Sequence, residues 1–525
     1  MNQDIRKVLI NGEWVSANSK GTFQATNPTL GEVVSTQFPI SEWSDCDAAL
    51  TAAHEAFLES RLLPPERIAD FLEHYASAIE ADKDTLVELA HIESGLPRSP
   101  RLSDVELPRT LNQLRQAAAA ARDQSWKMGV IDTKGKLRSC YQAFGPVCVF
   151  GPNNFPFAFN SIAGGDFASA IAVGNPVIAK ANSSHPATSE RFGMLVAKSI
   201  KATSMPSGLA QLIYRTSHED GERLVADPRL AAIGYTGARG AGLKLKAVAD
   251  QVGKPFYAEL SSVNPVVFMP GALSERCDAL VDEYVTSGLM ATGQFCTNPG
   301  MLLLVEGAQT ELFIQGVVNK YTSNAVGTLL SPSVERSLVS SIQVLTKAGA
   351  NLLVGGTKVP GARCAVSNTA MRITGDQFLS DPHIFQTEAF GNAVLMVVAR
   401  DLKQIRKIIE SLEGNLTGSI YSATTGADDA QYDEIADALS QRVGRMLNDK
   451  MPTGVAVSPA MNHGGPYPAT SHPGFTAVGF PASMLRFAKL TSFDNVREGR
   501  LPAVLQDKAP TNKTWRQIDG VWTQG

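Results

Sequence analysis

Residues 147 to 180 begin Val147-Cys-Val-Phe-Gly-Pro-Asn-Asn-Phe-Pro156, pass through an amphipathic stretch from about Ser161 to Val173, and end in Val177-Ile-Ala-Lys180. A short apolar run, a Gly-Pro-Asn turn, a helical stretch and a second apolar run make a strand–helix–strand unit. The pattern continues. A helix is expected from about Ala187 to Ala202 and a strand at Leu209–Ile213. A helix near Gly221–Ala226 precedes the strand Ala231–Tyr235, and another helix leads to Phe256–Leu260. Regular alternation predicts an α/β fold with a parallel doubly wound sheet. Ligands of such sheets bind at the carboxyl ends of the strands.

Before this region, Val8–Val15 carries an Asn-Gly turn between apolar stretches and reads as a hairpin. The turn Asn27-Pro-Thr-Leu-Gly31 leads into another strand. In Glu66–Glu80 the residues Ile68, Phe71, Leu72, Tyr75 and Ile79 share one helical face. Asp84 is the expected cap of the next helix, which stops near Gly95. A second alternating region starts at Pro265–Met269. It continues through a helix at Leu280–Met290 and strands at Leu302–Val305 and Ala393–Ala399. Ile131–Ser139 and the tail after about Arg486 fit neither region and read as strands reaching toward a neighbouring subunit.

The chain has 525 residues, enough for two to four domains at about 150 residues each. Hydrophobic residues make up 44% and charged residues 19%, which excludes wholesale disorder. No apolar run approaches the roughly 20 residues of a membrane span, and the polar N-terminus is not a secretory signal. Net charge is −4, from 47 basic and 51 acidic residues, with no basic run suited to nucleic acid or lipid. Six cysteines without metal-ligand spacing argue against a disulfide framework or a zinc site. The expectation is a reduced, cytoplasmic protein.

Cys296 lies on the Gly- and Pro-flanked loop Gly293-Gln-Phe-Cys-Thr-Asn-Pro-Gly300. As a thiolate it would be a nucleophile; the competing reading is a small buried hydrophobe. Cys148, Cys46 and Cys277 fit that second reading. Glu259 ends a strand and is a candidate general base, or an ordinary exposed acid. Asn154 follows a strand and is a candidate oxyanion donor, or plain turn chemistry. Gly237-Ala-Arg-Gly-Ala-Gly242 opens a helix, where Gly237 and Gly242 would admit a pyrophosphate. Lys180 and Arg239 are candidate phosphate contacts, or solvated charges.

Together these segments resemble the aldehyde dehydrogenase superfamily over nearly the whole chain. Gly151–Pro156 is similar to its P-x-N-F-P, Tyr235–Gly242 to its F-T-G-S-x-x-x-G, and Glu259–Pro265 to its E-L-G-G-x-x-P. Gly293–Cys296 is similar to its G-Q-x-C, and Glu388–Gly391 to its E-x-F-G. The resemblance implies Cys296 as nucleophile, Glu259 as base and Asn154 as oxyanion donor with the Cys296 N–H. It implies Glu388 on the nicotinamide ribose and Phe390 near the ring, and it requires no metal. It also implies a Rossmann-type cofactor domain (1–125 and 144–258), a catalytic domain (259–461) and oligomerisation strands (126–143 and 483–525). Residues 462–482 would return as an active-site loop. The assembly would be a homodimer or homotetramer.

Ser261-Ser262 replace the family's Gly-Gly, Asn392 replaces the proline usual after E-x-F-G, and Ser183 replaces an acid that repels a ribose 2′-phosphate. The last change makes NADP the expected cofactor, with NAD as the alternative. The segments 258–265, 293–300, 461–469 and 515–520 resemble α-ketoglutaric semialdehyde (2,5-dioxovalerate) dehydrogenases, and NADP-dependent bacterial fatty-aldehyde dehydrogenases share much of the pattern. The expected reaction is aldehyde to acid, with α-ketoglutaric semialdehyde giving 2-oxoglutarate. A fatty or general aldehyde is the alternative, and a non-catalytic binding protein on the same fold is the remote one. Glu259 argues against a CoA-acylating enzyme. His463 is expected near the site mouth, or as a structural hydrogen-bonding residue in its Gly-Pro loop. Phe157 and Phe295 are candidate substrate contacts, and Arg109 and Arg115 are possible partners for a distal carboxylate.

Overall fold

The short apolar runs and their intervening amphipathic stretches build two seven-stranded sheets in the computed structural model, which describes residues 5–525. In the first sheet the order is Phe256–Glu259, Ala232–Thr236, Val147–Phe150, Val177–Lys180, Ala210–Ile213, Val8–Ile10, Glu13–Val15. The first five strands are parallel and the N-terminal hairpin closes one edge antiparallel. Their residues are buried on both faces, which is why they read as continuous apolar runs. Connections leave Val147–Phe150 in both directions, so a crevice opens at its carboxyl end.

The second sheet runs Asn351–Val354, Thr369–Thr374, Ala393–Ala399, Met301–Val305, Pro265–Phe268, Asn415–Tyr421, Val443–Asn448. A third, five-stranded sheet joins Gly129–Asp132 and Leu137–Ala143 to three C-terminal strands, Ala488–Asp494, Trp515–Ile518 and Val521–Gln524. The sequence outliers at 131–139 and after 486 therefore belong together.

The helix Pro65–Ala81 buries Ile68, Phe71, Leu72, Tyr75 and Ile79 as its spacing requires. Each such side chain contributes about 1.5–3 kcal/mol. The next helix starts at Lys83, so Asp82 stands at its N-cap and Asp84 lies in the first turn. It ends at Gly95 with φ 69°, a left-handed cap suited to glycine. The helix expected from Ser161 spans only Gly165–Val173, because a turn fills 161–163. The helix at 280–290 starts earlier, at Pro270, and bends at Arg276. All six cysteines are free, and no helix among the described residues is long and apolar enough to cross a membrane.

Candidate active site

The loop carrying Cys296 is held under backbone tension. Ala291, Thr292 and Gly293 have φ of 46°, 60° and 68° in succession. Non-glycine residues in that region cost on the order of 1 kcal/mol each, and they persist where surroundings over-determine them. At Gly293 a Cβ would lie 2.1 Å from the Gly391 carbonyl oxygen, so only glycine fits. Asn264 Nδ2 donates to the carbonyls of Cys296 and Asn298 at 2.9 Å each. The N–H groups of Val263 and Asn264 donate in turn to Asn415 Oδ1. Sequence reasoning missed Asn264 and Asn415, whose work lies in pairings across some 150 positions.

Three expected residues converge on the thiol. Cys296 Sγ lies 3.2 Å from His463 Nε2. His463 Nδ1 lies 2.7 Å from Glu259 Oε2, off the line of a hydrogen bond. Both side chains are almost wholly buried. Nδ1 and both Glu259 carboxylate oxygens thus lack a hydrogen-bond partner among the described residues. Burial, and next the Glu259 carboxylate, push the Cys296 thiol well above the usual thiol range, while Arg109 pulls it down. The three side chains also bring one donor atom each within 4.8 Å of one another, a set a soft cation would fit. Asn154 Nδ2 donates to the Gln294 carbonyl at 3.1 Å, which orients its amide beside the nucleophile loop.

His463 is deeper than expected. Its loop returns along the first sheet's edge, where Leu260 N–H donates to the Ala469 carbonyl and Ser471 N–H to the Ala258 carbonyl. The N–H of His463 donates to Thr476 Oγ1 at 2.8 Å.

A cleft of about 1060 Å³ opens at the carboxyl ends of the first sheet. Cys296, Glu259, Asn154, Glu388 and Phe390 line it together with Lys180, Ser183 and Gly237. Burial pushes the Glu388 carboxyl up to about 7 against the Ser261 hydroxyl, the Ser262 N–H and Arg239, which pull it down. Of the two serines in place of Gly-Gly, Ser261 thereby adds a hydroxyl contact to Glu388, while the Ser262 N–H is one a glycine would also offer. Lys180 is lowered to about 8, chiefly by burial, with Arg215 also repelling its charge. Neither cation has an acidic partner among the described residues, although Glu222 lines the same cleft. Arg215 was not anticipated. It follows the strand Ala210–Ile213 just as Lys180 closes its own, and that parallel was the available signal.

Arg239 lines the cleft, with its guanidinium paired to Glu413 at 2.7 Å. Three expectations need correction. Gly242 does not line the cleft; a Cβ there would lie 2.5 Å from Leu260 and 2.8 Å from Tyr235, so it serves close helix–strand packing. Phe157 is fully buried in the core against Phe192, away from the thiol. Arg115 pairs with Glu80 on the surface. Phe295 does border the site, in a cluster with Phe155, Phe159 and Val478. Buried Glu106, also missed, accepts from the N–H groups of Phe157 and Ala158 and pairs with Arg101.

A model of the aldehyde dehydrogenase family matches residues 14–465. The α-ketoglutaric semialdehyde dehydrogenase 2 of Azospirillum brasilense is 36% identical over 96% of this chain and 97% of its own. The α-ketoglutaric semialdehyde dehydrogenase of Acinetobacter baylyi is 33% identical over 100% of both chains. Among solved structures, a Thermus 1-pyrroline-5-carboxylate dehydrogenase with bound NAD superposes with TM-score 0.80 at 22% identity, covering 93% of this chain and 92% of its own. An aldehyde dehydrogenase from Pseudomonas syringae, in complex with NAD+ and octanal, gives 0.80 at 18% identity, covering 94% of this chain and 98% of its own. Both structural likenesses speak to the fold.

Proposed function

The chain belongs to the aldehyde dehydrogenase family, and from that premise we propose that it oxidises α-ketoglutaric semialdehyde to 2-oxoglutarate, using NADP at least as well as NAD. The observation that carries the reaction is the contact chain Cys296–His463–Glu259 with Asn154 beside it. Full-length similarity to two enzymes named for this semialdehyde supports the substrate.

At rest the Cys296 thiol holds its proton, so attack on the aldehyde needs an acceptor. His463 Nε2 stands at 3.2 Å and takes it, and the Glu259 carboxylate steadies the resulting imidazolium through Nδ1. Sulfur bonds to the aldehyde carbon and the carbonyl becomes an oxyanion. The second Asn154 amide hydrogen and the Cys296 N–H receive it. Bound NADP supplies the hydride acceptor. Loss of hydride from the thiohemiacetal leaves a thioester on Cys296. Glu259, with two unpartnered carboxylate oxygens, removes a proton from water as it attacks that thioester. Aldehyde, water and oxidised cofactor thus give carboxylate, reduced cofactor and two protons.

The cleft suits a dinucleotide. It lies at the strand-order reversal, and its wall includes Gly237 and the first turn of the helix Arg239–Gln251, where free N–H groups favour a pyrophosphate. The unpaired cations Lys180 and Arg215 beside Ser183 suit a 2′-phosphate.

One face of the five-stranded sheet exposes Val130, Leu137, Leu490 and Trp522, a surface fitted to a second copy. The reading is a cytoplasmic homodimer or homotetramer, with cofactor, catalytic and oligomerisation parts divided as the resemblance implies. The aromatic cluster of Phe155, Phe159 and Phe295 favours a second reading, a fatty or general aldehyde. The ratio of kcat/KM for α-ketoglutaric semialdehyde over pentanal separates the two. A ratio well above one is expected; a ratio near or below one hands the substrate to the second reading.

A further inference from the structure

We infer that Arg109 is the anchor for the distal carboxylate of the substrate, an anion site against the rings of Phe155 and Phe159. The inference rests on the proposed semialdehyde substrate and names the residue that reads it.

Arg109 sits in the first turn of the helix Leu107–Asp123. A cation is poorly placed there, since the helix N-terminus is the positive end of its dipole. Its guanidinium carbon lies 5.5 Å from the ring centre of Phe155 and 5.3 Å from that of Phe159. Phe159 in turn packs 5.8 Å from the His463 ring, and Phe155 packs 5.4 Å from Phe295, the neighbour of Cys296 in sequence. Nε donates to Gln113 Oε1 at 3.2 Å, and the Ala158 carbonyl accepts from Gln113 Nε2 at 3.1 Å, so the stem is fixed. Nη2 is shut off from solvent and has no hydrogen-bond partner among the described residues. Burial lowers its affinity for a proton, offset by the charges of Cys296, Glu106 and Glu259.

The neighbouring cations are engaged. Arg101 pairs with Glu106 and donates to the Asn154 carbonyl. Arg445 donates to the carbonyls of Gly454 and Pro452. Arg109 alone among these three has terminal nitrogens without a hydrogen bond. A guanidinium with one nitrogen shut off from solvent and no carboxylate partner is costly, and a tunnel built only for alkyl chains would not retain it. A carboxylate at the end of a five-carbon aldehyde, with its reacting carbon at Sγ, would lie across the aromatic cluster and meet the free fork bidentately.

The test is Arg109→Met, which keeps bulk and removes charge, with Arg109→Lys beside it and Arg115→Met as a surface control. The readout is the ratio of kcat/KM for α-ketoglutaric semialdehyde over pentanal. For Arg109→Met the ratio is expected to fall about 100-fold, mostly through KM for the anionic aldehyde, with partial recovery in Arg109→Lys. An equal fall for both aldehydes, or an unchanged ratio in a wild type that prefers the anion, overturns the assignment. A second measurement needs no turnover: glutarate should protect Cys296 from iodoacetamide in the wild type and not in Arg109→Met. If the wild type shows no anion preference but glutarate protection depends on Arg109, the substrate reading fails and the anion site stands. Glutarate protection that is absent, or that survives in Arg109→Met, overturns the site.

Discussion

His463 Nε2 lies 3.2 Å from Cys296 Sγ, on residues 167 positions apart in sequence. The thiol's own burial disfavours its ionised form, and this nitrogen stands at hydrogen-bond distance to receive the proton. Replacing it should therefore damage catalysis more than folding.

His463→Asn is expected to lower kcat by about 10²–10⁴. The loss should shrink as pH rises, since hydroxide replaces the missing base at a thiol held above its usual range. A pH profile of kcat/KM beside the wild type checks it. A variant as active as the wild type at pH 7 refutes the proton acceptor.

Glu259→Gln keeps shape and removes the base. Rapid mixing should show a burst of reduced cofactor and then turnover slowed about 10²–10⁴-fold, as thioester hydrolysis becomes limiting. Steady-state rates like the wild type's exclude the role. Asn154→Ala should lose about 10²–10³ in kcat with no burst, because the first tetrahedral step is the one slowed.

Arg215→Ala and Lys180→Ala should each weaken NADP about 10–100-fold and leave NAD nearly unchanged, at about 1.5–3 kcal/mol per charge-assisted hydrogen bond. Lys180 is lowered to about 8. It is charged below that pH and neutral above it. The ratio of kcat/KM for NADP over NAD should therefore fall as pH rises through about 8. A flat ratio from pH 6.5 to 9.5 removes Lys180 from 2′-phosphate binding.

Zinc should inhibit by bridging Cys296, His463 and Glu259, whose donor atoms lie within 4.8 Å of one another. Chelation should restore activity and His463→Asn should raise the inhibitory concentration. Inhibition insensitive to that change places the metal elsewhere.

Legibility in the sequence followed burial. The parallel strands Val147–Phe150, Val177–Lys180 and Ala393–Ala399 fell where expected, because both their faces are covered and proline, glycine or polar residues bound them. Cys296, Glu259 and Asn154 were legible from motifs and are adjacent in space. What escaped depends on distant partners. The pairing of Arg239 with Glu413, 174 positions on, is one such contact. Phe157 sits two residues from Phe155 and from Phe159 but faces the core, which a motif does not encode. The packing that leaves Arg109 Nη2 without a partner joins a helix to a loop.

The segment 469–471 pairs along the edge strand that ends at Glu259, and it carries His463 into place. This has a consequence for a chain still emerging from the ribosome. By residue 300 such a chain holds its nucleophile and its carboxylate, but the imidazole arrives only after another 160 or so residues and the closure of a very long loop, on the order of the slowest contacts to form. Unfinished or clipped chains would carry a thiol and a carboxylate without the imidazole that contacts both. Aldehyde chemistry is thereby withheld until the polypeptide is almost complete.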